Sequence, residues 1–262
     1  MCTLSAALCR PANSSCLPVM DHWQLTLSRR FDGFYDHSGL PPSSPFEHQL
    51  GTCAVVSSSD WMTGKGLGGM IDSNDAVFRS NAAPTVGFEG DVGSRTTVRI
   101  QSPIYVGFRE GNESLVSKTW FLNGPTSEAR RSPSMELSDP MDRFLSLKMT
   151  TDHGVHPANP NLVRAINRCF SNWSSTGYIT LVVAANACRN VTAFGFGVSD
   201  SYYGWYYEKY PELPVHLWGH YNGFVVTTKH DTQPKDDGTS EAASEKPCIK
   251  SIRDTGTIIF VP

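Results

Sequence analysis

Residues 53–97 read CAVVSSSDWMTGKGLGGMIDSNDAVFRSNAAPTVGFEGDVGSRTT, a stretch in which short apolar runs alternate with small, polar turn residues. Together with the residue before it, Thr52–Ser58 (TCAVVSS) is an apolar, β-branched run of the kind that forms a fully buried strand. Asn74–Ser80 (NDAVFRS) and Thr96–Gln101 (TTVRIQ) repeat the pattern, so three strands are predicted within fifty residues. Between the first two lies Gly64-Lys65-Gly66-Leu67-Gly68-Gly69, which satisfies G-x-G-x-x-G to the letter. In dinucleotide-binding folds those glycines stand directly between a strand and a helix, where backbone N–H groups meet a pyrophosphate. Here residues 59–63 intervene after the strand, and the segment that follows Gly69 (MIDSNDAVF) reads as a turn into a strand. A flexible loop is therefore expected at 64–69. The Walker pattern fails as well, because Gly66 follows Lys65 and no glycine stands at Asp60.

Upstream, residues 1–50 are rich in Pro, Ser and Gly without sustained periodicity, and SGLPPSSPF at 38–46 reads as an extended linker. The domain boundary is placed at 50/51, with a catalytic domain over 51–262. Downstream, residues 109–140 carry turn residues and mixed charge, and a loop region is expected there. Asp139-Pro140 and Asn159-Pro160 open two helical candidates, MDRFLSLKM and NLVRAINRCF. Thr176–Cys188 is a third helix candidate; Asn190–Phe196, Asn222–Thr228 and Thr257–Val261 are further strands. Residues 231–247 lack large apolar side chains and read as a solvated loop. Strands alternating with helices predict an α/β sandwich around a mostly parallel sheet.

With 39% hydrophobic and 18% charged residues, the chain is too apolar for disorder and too polar for a multispan membrane protein. Lys plus Arg is 22 against 25 Asp plus Glu, a net charge of −3, so there is no basic excess for a nucleic-acid backbone. Nucleic acid is excluded as the main partner. No run approaches the ~20 apolar residues that cross a bilayer, and Leu4–Leu8 is too short for a signal core. Seven cysteines, at positions 2, 9, 16, 53, 169, 188 and 248, leave at least one outside any intrachain pairing. None forms a C-x-x-C or another common zinc spacing, so no metal site is expected. Sequons at Asn13, Asn112, Asn172 and Asn190 become usable only in the secretory pathway.

The stretch from Cys53 to Thr97 resembles the large sialylmotif of the animal-type sialyltransferases, glycosyltransferase family 29. The matching pieces are CAVV at 53–56, the Gly-rich segment, Ile71-Asp72-Ser73, Asp75, Val77, Arg79, Asn81, Ala83-Pro84, Gly87-Phe88-Glu89 and Asp91 through Thr97. A second segment resembles the small sialylmotif: Ser174-Ser175-Thr176-Gly177, Ala184, Cys188, Val191 and Gly195-Phe196-Gly197. The resemblance implies a variant GT-A-like, Rossmann-type α/β/α sandwich that transfers a sialic acid from its cytidine monophosphate (CMP) donor to a terminal galactose or N-acetylgalactosamine. It also implies inversion at the anomeric carbon, no metal or other cofactor, and a glycoprotein or glycolipid acceptor. The resemblance further implies the Golgi lumen, with a membrane anchor that this chain does not contain. Cys53 and Cys188 match the family's disulfide; Cys169 and Cys248 are a second candidate pair. For the donor, the resemblance assigns contacts to Asn81, Ser175, Thr176, Gly177 and Gly195. The residues read alone allow plainer roles: a helix N-cap for Ser175, strand-end turns for Asn81 and Gly195. Ser175–Gly177 also open a helix candidate whose N–H groups suit an anion.

Transfer needs a base for the acceptor hydroxyl and donors for the leaving phosphate, tasks that suit histidine. The family's histidine motifs are both altered here. Trp205-Tyr206-Tyr207-Glu208 stands where a His-Tyr-x-Glu motif is expected; Trp205 replaces the histidine, and an indole N–H donates but carries no charge. Trp205 and Tyr206 remain catalytic candidates, with core packing as the other reading. For the base, His230-Asp231 best matches, with Glu245 as its displaced glutamate partner; His220 and His216 are rivals. Ser57-Ser58-Ser59 replaces the usual Gly-Asn-Ser, leaving Ser58 as a shorter donor contact. Two alternatives stay open: a non-catalytic relative that binds cytidine nucleotide or glycan, and a transferase for a CMP-activated 3-deoxy-octulosonate.

Overall fold

The computed structural model describes residues 50–102, 105, 110, 118–121, 155–157, 166, 174–196, 205–207 and 241–261. Seven described strands form one sheet: β1 Leu50–Val56, β2 Ala76–Ser80, β3 Val98–Gln101, β4 Lys118–Phe121, β5 Val155–Pro157, β6 Cys188–Phe194 and β7 Ile259–Val261. Their order is β5-β4-β3-β2-β1-β6-β7, and every neighbouring pair is parallel. A parallel sheet is covered on both faces, which explains why β1 and β2 read as continuous apolar runs and not as alternating ones. Cys53 and Val55 of β1 join a core with Phe78, Ile100 and the helix that precedes β6, whereas Ala54 and Val56 join Met62, Ile71, Phe88, Val92 and Tyr206 on the opposite face.

From β1 the chain steps outward through β2, β3, β4 and β5, then returns to place β6 and β7 on the other side of β1. The order therefore reverses between β1 and β6, and in open α/β sheets ligands lie in the crevice outside the carboxyl ends of the strands at that reversal. Helix α3, Thr176–Ala187, precedes β6 and covers one face. Nine of its 12 residues are buried, including Tyr178, Ile179, Leu181, Val182 and Val183, as expected of a helix apolar all round. It runs into β6 without a loop at Cys188.

Cys188 is bonded to Cys53, so β1 and the start of β6 are joined covalently on the amino side of the sheet. Cys248 is also disulfide-bonded, while Cys169 lies outside the described residues. On the same edge Asp75 takes the Thr52 N–H at 2.7 Å and the Thr52 hydroxyl at 3.0 Å, pinning the starts of β1 and β2. The sequon residue Asn190 is exposed on β6.

Three expectations change, and one strand, β5, has no counterpart among them. The Gly-rich segment is followed by a helix, α1 Gly68–Asp72, and the loop before it is pinned: Gly64 and Gly66 donate their N–H groups to the Asp91 carboxylate at 2.7 and 2.8 Å. Asp91 lies on α2, Glu89–Val92, so the donors that would cradle a pyrophosphate serve an internal carboxylate. Lys118–Phe121 is a strand inside the expected loop region; its four residues are too few to show a period. β5 went unread because it is three residues long and ends in Pro157, which an edge strand tolerates. Helix α4, Glu241–Asp254, occupies part of the expected solvated loop. Its described buried apolar residues, Cys248, Ile249 and Ile252, follow the polar segment, and Pro247 reads as a breaker. The helix candidates at 141–149 and 161–170 and the strand at 222–228 lie outside the described residues, apart from helical, buried Ile166.

Among the described residues no helix is long and apolar enough to cross a membrane.

Candidate functional site at the carboxyl edge of the sheet

Val56 of β1 lies opposite Arg79 of β2 and Phe194 of β6. One or two residues further on, Ser57-Ser58, Ser80-Asn81 and Gly195-Phe196 therefore leave three adjacent strands at one level, spanning about 10 Å at the usual strand spacing. The α3 N-terminus reaches the same edge: the Ser80 and Thr180 hydroxyls are 2.9 Å apart, linking the end of β2 to the first turn of α3. Fold topology thus gathers Ser58, Asn81, Ser175–Gly177 and Gly195 along the crevice at the switch point.

Gly195 is demanded by its surroundings. Its φ is +75°, and a side-chain carbon there would stand 2.8 Å from Met62 Sδ and 3.0 Å from Ser57 Oγ. Ser57 donates its hydroxyl to the Gly195 carbonyl at 3.0 Å and accepts the Ser59 N–H at 2.9 Å. A serine in the family's glycine position therefore locks β1 to β6, a role sequence reading missed. Ser58 is half-buried, with its carbonyl accepting the Tyr206 N–H at 3.0 Å. Among the described residues no hydrogen bond engages the Ser58 hydroxyl.

Asn81 ends β2 with φ +53°, a conformation asparagine tolerates better than most side chains. Its Oδ1 accepts the Ser102 N–H at 2.8 Å, which fixes the orientation of the carboxamide. The turn reading and a ligand-facing amide are compatible at this residue.

Ser175 is the α3 N-cap, its hydroxyl accepting the Tyr178 N–H at 3.1 Å. It is also held by Glu245: the Ser175 N–H donates to Oε1, and the hydroxyl donates to Oε2 at 2.8 Å. Glu245 is buried on α4, and Arg253, at the other end of that helix, donates to the Phe196 carbonyl at 3.2 Å. The Glu245 carboxylate thus ties α4 to the start of α3, while His230, the base it is expected to accompany, lies outside the described residues. A side-chain carbon at Gly177 would stand 3.7 Å from the Phe196 ring, an ordinary contact, so packing leaves room on that side.

Trp205 is half-buried, bridges to Ser59 in antiparallel fashion and stacks on Tyr207 with ring centroids 5.3 Å apart. It therefore stands just beyond the end of β1. Tyr206 faces the other way. It is 1% exposed, its hydroxyl donates to the Pro84 carbonyl, and its ring meets Phe88 edge-on at 5.0 Å. Burial pushes its phenol well above the ordinary tyrosine value, although the nearby Arg79 charge opposes this. Tyr206 thus makes structural contacts on both sides, its hydroxyl on the Pro84 carbonyl and its N–H on the Ser58 carbonyl. Tyr206→Phe should lower the unfolding free energy by roughly 1–2 kcal/mol, from one lost hydrogen bond and an unpaired buried carbonyl. Donor affinity should stay within twofold, as titration calorimetry with CMP would show.

Polar residues of the same stretch tie α1, β2 and the approach to β3 together. Arg79, fully buried, donates to the carbonyls of Val92, Gly93 and Arg95 at 2.7 to 3.2 Å. Asp72 receives the Ser94 N–H and hydroxyl and the Arg95 N–H at 2.7 to 3.1 Å. Burial alone would raise the Asp72 pKa, but these donors and the Arg79 charge hold it below the ordinary carboxylate value. His216, His220 and His230 lie outside the described residues.

A family model described as glycosyltransferase family 29 (sialyltransferase) matches residues 20–230. The chain is 30% identical over 227 residues to the human alpha-N-acetyl-neuraminyl-2,3-beta-galactosyl-1,3-N-acetyl-galactosaminide alpha-2,6-sialyltransferase, covering 77% of this chain and 72% of that one. Over 173 residues it is 34% identical to the mouse CMP-N-acetylneuraminate-beta-galactosamide-alpha-2,3-sialyltransferase 1, with 61% of this chain and 49% of that enzyme covered. It thus spans about half the length of that second relative. A solved mammalian sialyltransferase has the same fold, with a TM-score of 0.57 at 19% identity and coverage of 81% of this chain and 69% of the other. A mammalian sialyltransferase solved with Gal-beta-1-3GalNAc-ortho-nitrophenol gives 0.56 at 20% identity and the same coverage. The family match over most of the chain and the shared parallel-sheet architecture lead to one conclusion: this chain belongs to glycosyltransferase family 29, the sialyltransferases.

Proposed function

We propose that the protein transfers sialic acid from its CMP donor to a terminal galactose or N-acetylgalactosamine of a glycoprotein or glycolipid glycan, with inversion and without a metal. The observation that carries this reading is the gathering of Ser58, Asn81, the α3 N-terminus and Gly195 at one crevice of a family 29 fold. In this reading Asn81 and Ser58 donate to the donor phosphate, and the α3 start and Gly195 border the nucleoside. The acceptor oxygen attacks the anomeric carbon as the carbon–oxygen bond to phosphate breaks; its proton passes to a base, and CMP leaves. His230 is the proposed base, with His220 and His216 as rivals. The names of two relatives support the acceptor class: one carries beta-galactosyl-1,3-N-acetyl-galactosaminide and the other beta-galactosamide. The Golgi lumen is the proposed site of action.

Trp205 favours a second reading, a relative that binds CMP-sugar or glycan without turnover. An indole beside the leaving phosphate gives one neutral hydrogen bond where the family motif has a histidine. Sialyl transfer to Gal-β-1,3-GalNAc, followed by NMR of the product's anomeric configuration with and without EDTA, tests the proposal. Formation of the α-linked product from the β-linked donor, unaffected by chelator, is the expected result. CMP binding without product supports the second reading. Transfer only from a CMP-3-deoxy-octulosonate donor would change the donor sugar.

A further inference from the structure

We propose that Arg99 and Glu110 are positioning residues for Asn81, holding its carboxamide where it meets the donor phosphate. This rests on the reading of Asn81 as a phosphate contact. Arg99 lies on β3 and is fully buried; one of its nitrogens, Nη1, donates to the Asn81 carbonyl at 2.9 Å and to the Ala83 carbonyl at 3.0 Å. Its Nη2 meets Glu110 Oε2 at 3.4 Å, with both side chains essentially inaccessible. Glu110 Oε1 in turn accepts the N–H groups of Thr85 and Val86 at 2.8 and 3.2 Å, and Oε2 accepts the Thr85 hydroxyl at 3.0 Å. One ion pair thus grips both ends of the segment 81–86.

Asn81 needs such a grip. Its backbone sits in the left-handed region, which an L-residue leaves when its anchors are removed. Its N–H is held by the Ile100 carbonyl at 2.7 Å and its Oδ1 by the Ser102 N–H. The Arg99 guanidinium fixes the remaining backbone group, the carbonyl. Burying an ion pair is commonly no more stabilising than burying apolar side chains of the same volume. Its value here is the fork: a planar guanidinium reaches two carbonyls and a carboxylate at once, and an ammonium cannot reproduce that geometry.

The experiment is calorimetry on the full chain with CMP and with cytidine, which lacks the phosphate. Asn81→Ala should weaken CMP about tenfold and leave cytidine within twofold, the loss expected for one hydrogen bond to a charged group. Arg99→Lys should weaken CMP about five- to tenfold with cytidine again unchanged, and should add nothing in the Asn81→Ala background. Glu110→Gln, which keeps an oxygen for the Thr85 and Val86 N–H groups, should show a smaller loss in the same direction and serves if Arg99→Lys fails to fold. Equal weakening of CMP and cytidine, or an Arg99→Lys loss that persists in full beside Asn81→Ala, overturns the proposal. If Asn81→Ala weakens CMP while both other variants bind normally, positioning alone fails. If Asn81→Ala changes neither ligand, the donor reading of Asn81 falls and the positioning role falls with it.

Discussion

Replacing Cys53 or Cys188 by Ala is expected to lower the unfolding free energy by about 2–5 kcal/mol, a large share of the roughly 5–15 kcal/mol that holds a domain together. The bond joins residues 135 apart in sequence, and in the chain-entropy model a loop of that length lies near the top of the range, at about 5 kcal/mol. Alanine is the better probe because serine would place a hydroxyl between Val55, Val191 and the other apolar side chains of that core. Chemical denaturation of the two single variants and the double variant measures the loss. The double variant should be no worse than either single one, since each already opens the loop. Added reductant is a poorer probe, because Cys248 is also disulfide-bonded. A change below about 1 kcal/mol, well under the typical cost of losing a native disulfide, would show that the sheet does not depend on the bond.

Glu245→Ala is the second large effect. It removes both carboxylate oxygens that accept from Ser175, one from its backbone N–H and one from its hydroxyl, the same hydroxyl that caps the Tyr178 N–H. Two hydrogen bonds to a charged group in a half-buried setting correspond to about 2–3 kcal/mol. The α3 N-terminus loosens with it, so CMP affinity should fall several-fold. Glu245→Gln separates positioning from chemistry: the amide oxygen still accepts the Ser175 N–H, and its NH2 donates to the hydroxyl. Turnover should therefore stay within about threefold of the native chain once stability is matched. A hundredfold loss of kcat in Glu245→Gln, with stability and CMP affinity retained, would instead mark the carboxylate as part of the proton path, the order of effect expected for general acid–base groups.

The sheet was legible because its central strands are buried on both faces and so read as unbroken apolar runs, as in AVV of β1 and AVF of β2. The short outer strands β4 and β5 carry no such signal. Helix α3 was legible from TGYITLVVAANA, while α4 was hidden by a polar first half and an internal proline. At the site, resemblance pointed to Ser58, Asn81, Ser175–Gly177 and Gly195, and the parallel register explains why residues so far apart in sequence reach one edge. What the sequence did not reveal are partnerships made across the fold: Glu245 on Ser175, Ser57 on Gly195, and Arg99 with Glu110 around Asn81. Each joins residues 11 to 138 positions apart, and no local pattern marks them. Tyr206 had two readings in the sequence, chemistry and core packing, and its ring and hydroxyl contacts on the core side could not be seen from the motif alone.

The central claim, that this family 29 chain is a working sialyltransferase, is tested most directly by acceptor-dependent release of CMP from CMP-N-acetylneuraminate over a panel of galactosides and galactosaminides. His230→Ala and His220→Ala are assayed alongside. The account predicts release with at least one acceptor, abolished in His230→Ala and retained in His220→Ala. No release with any acceptor, from protein that still binds CMP by calorimetry, would contradict it.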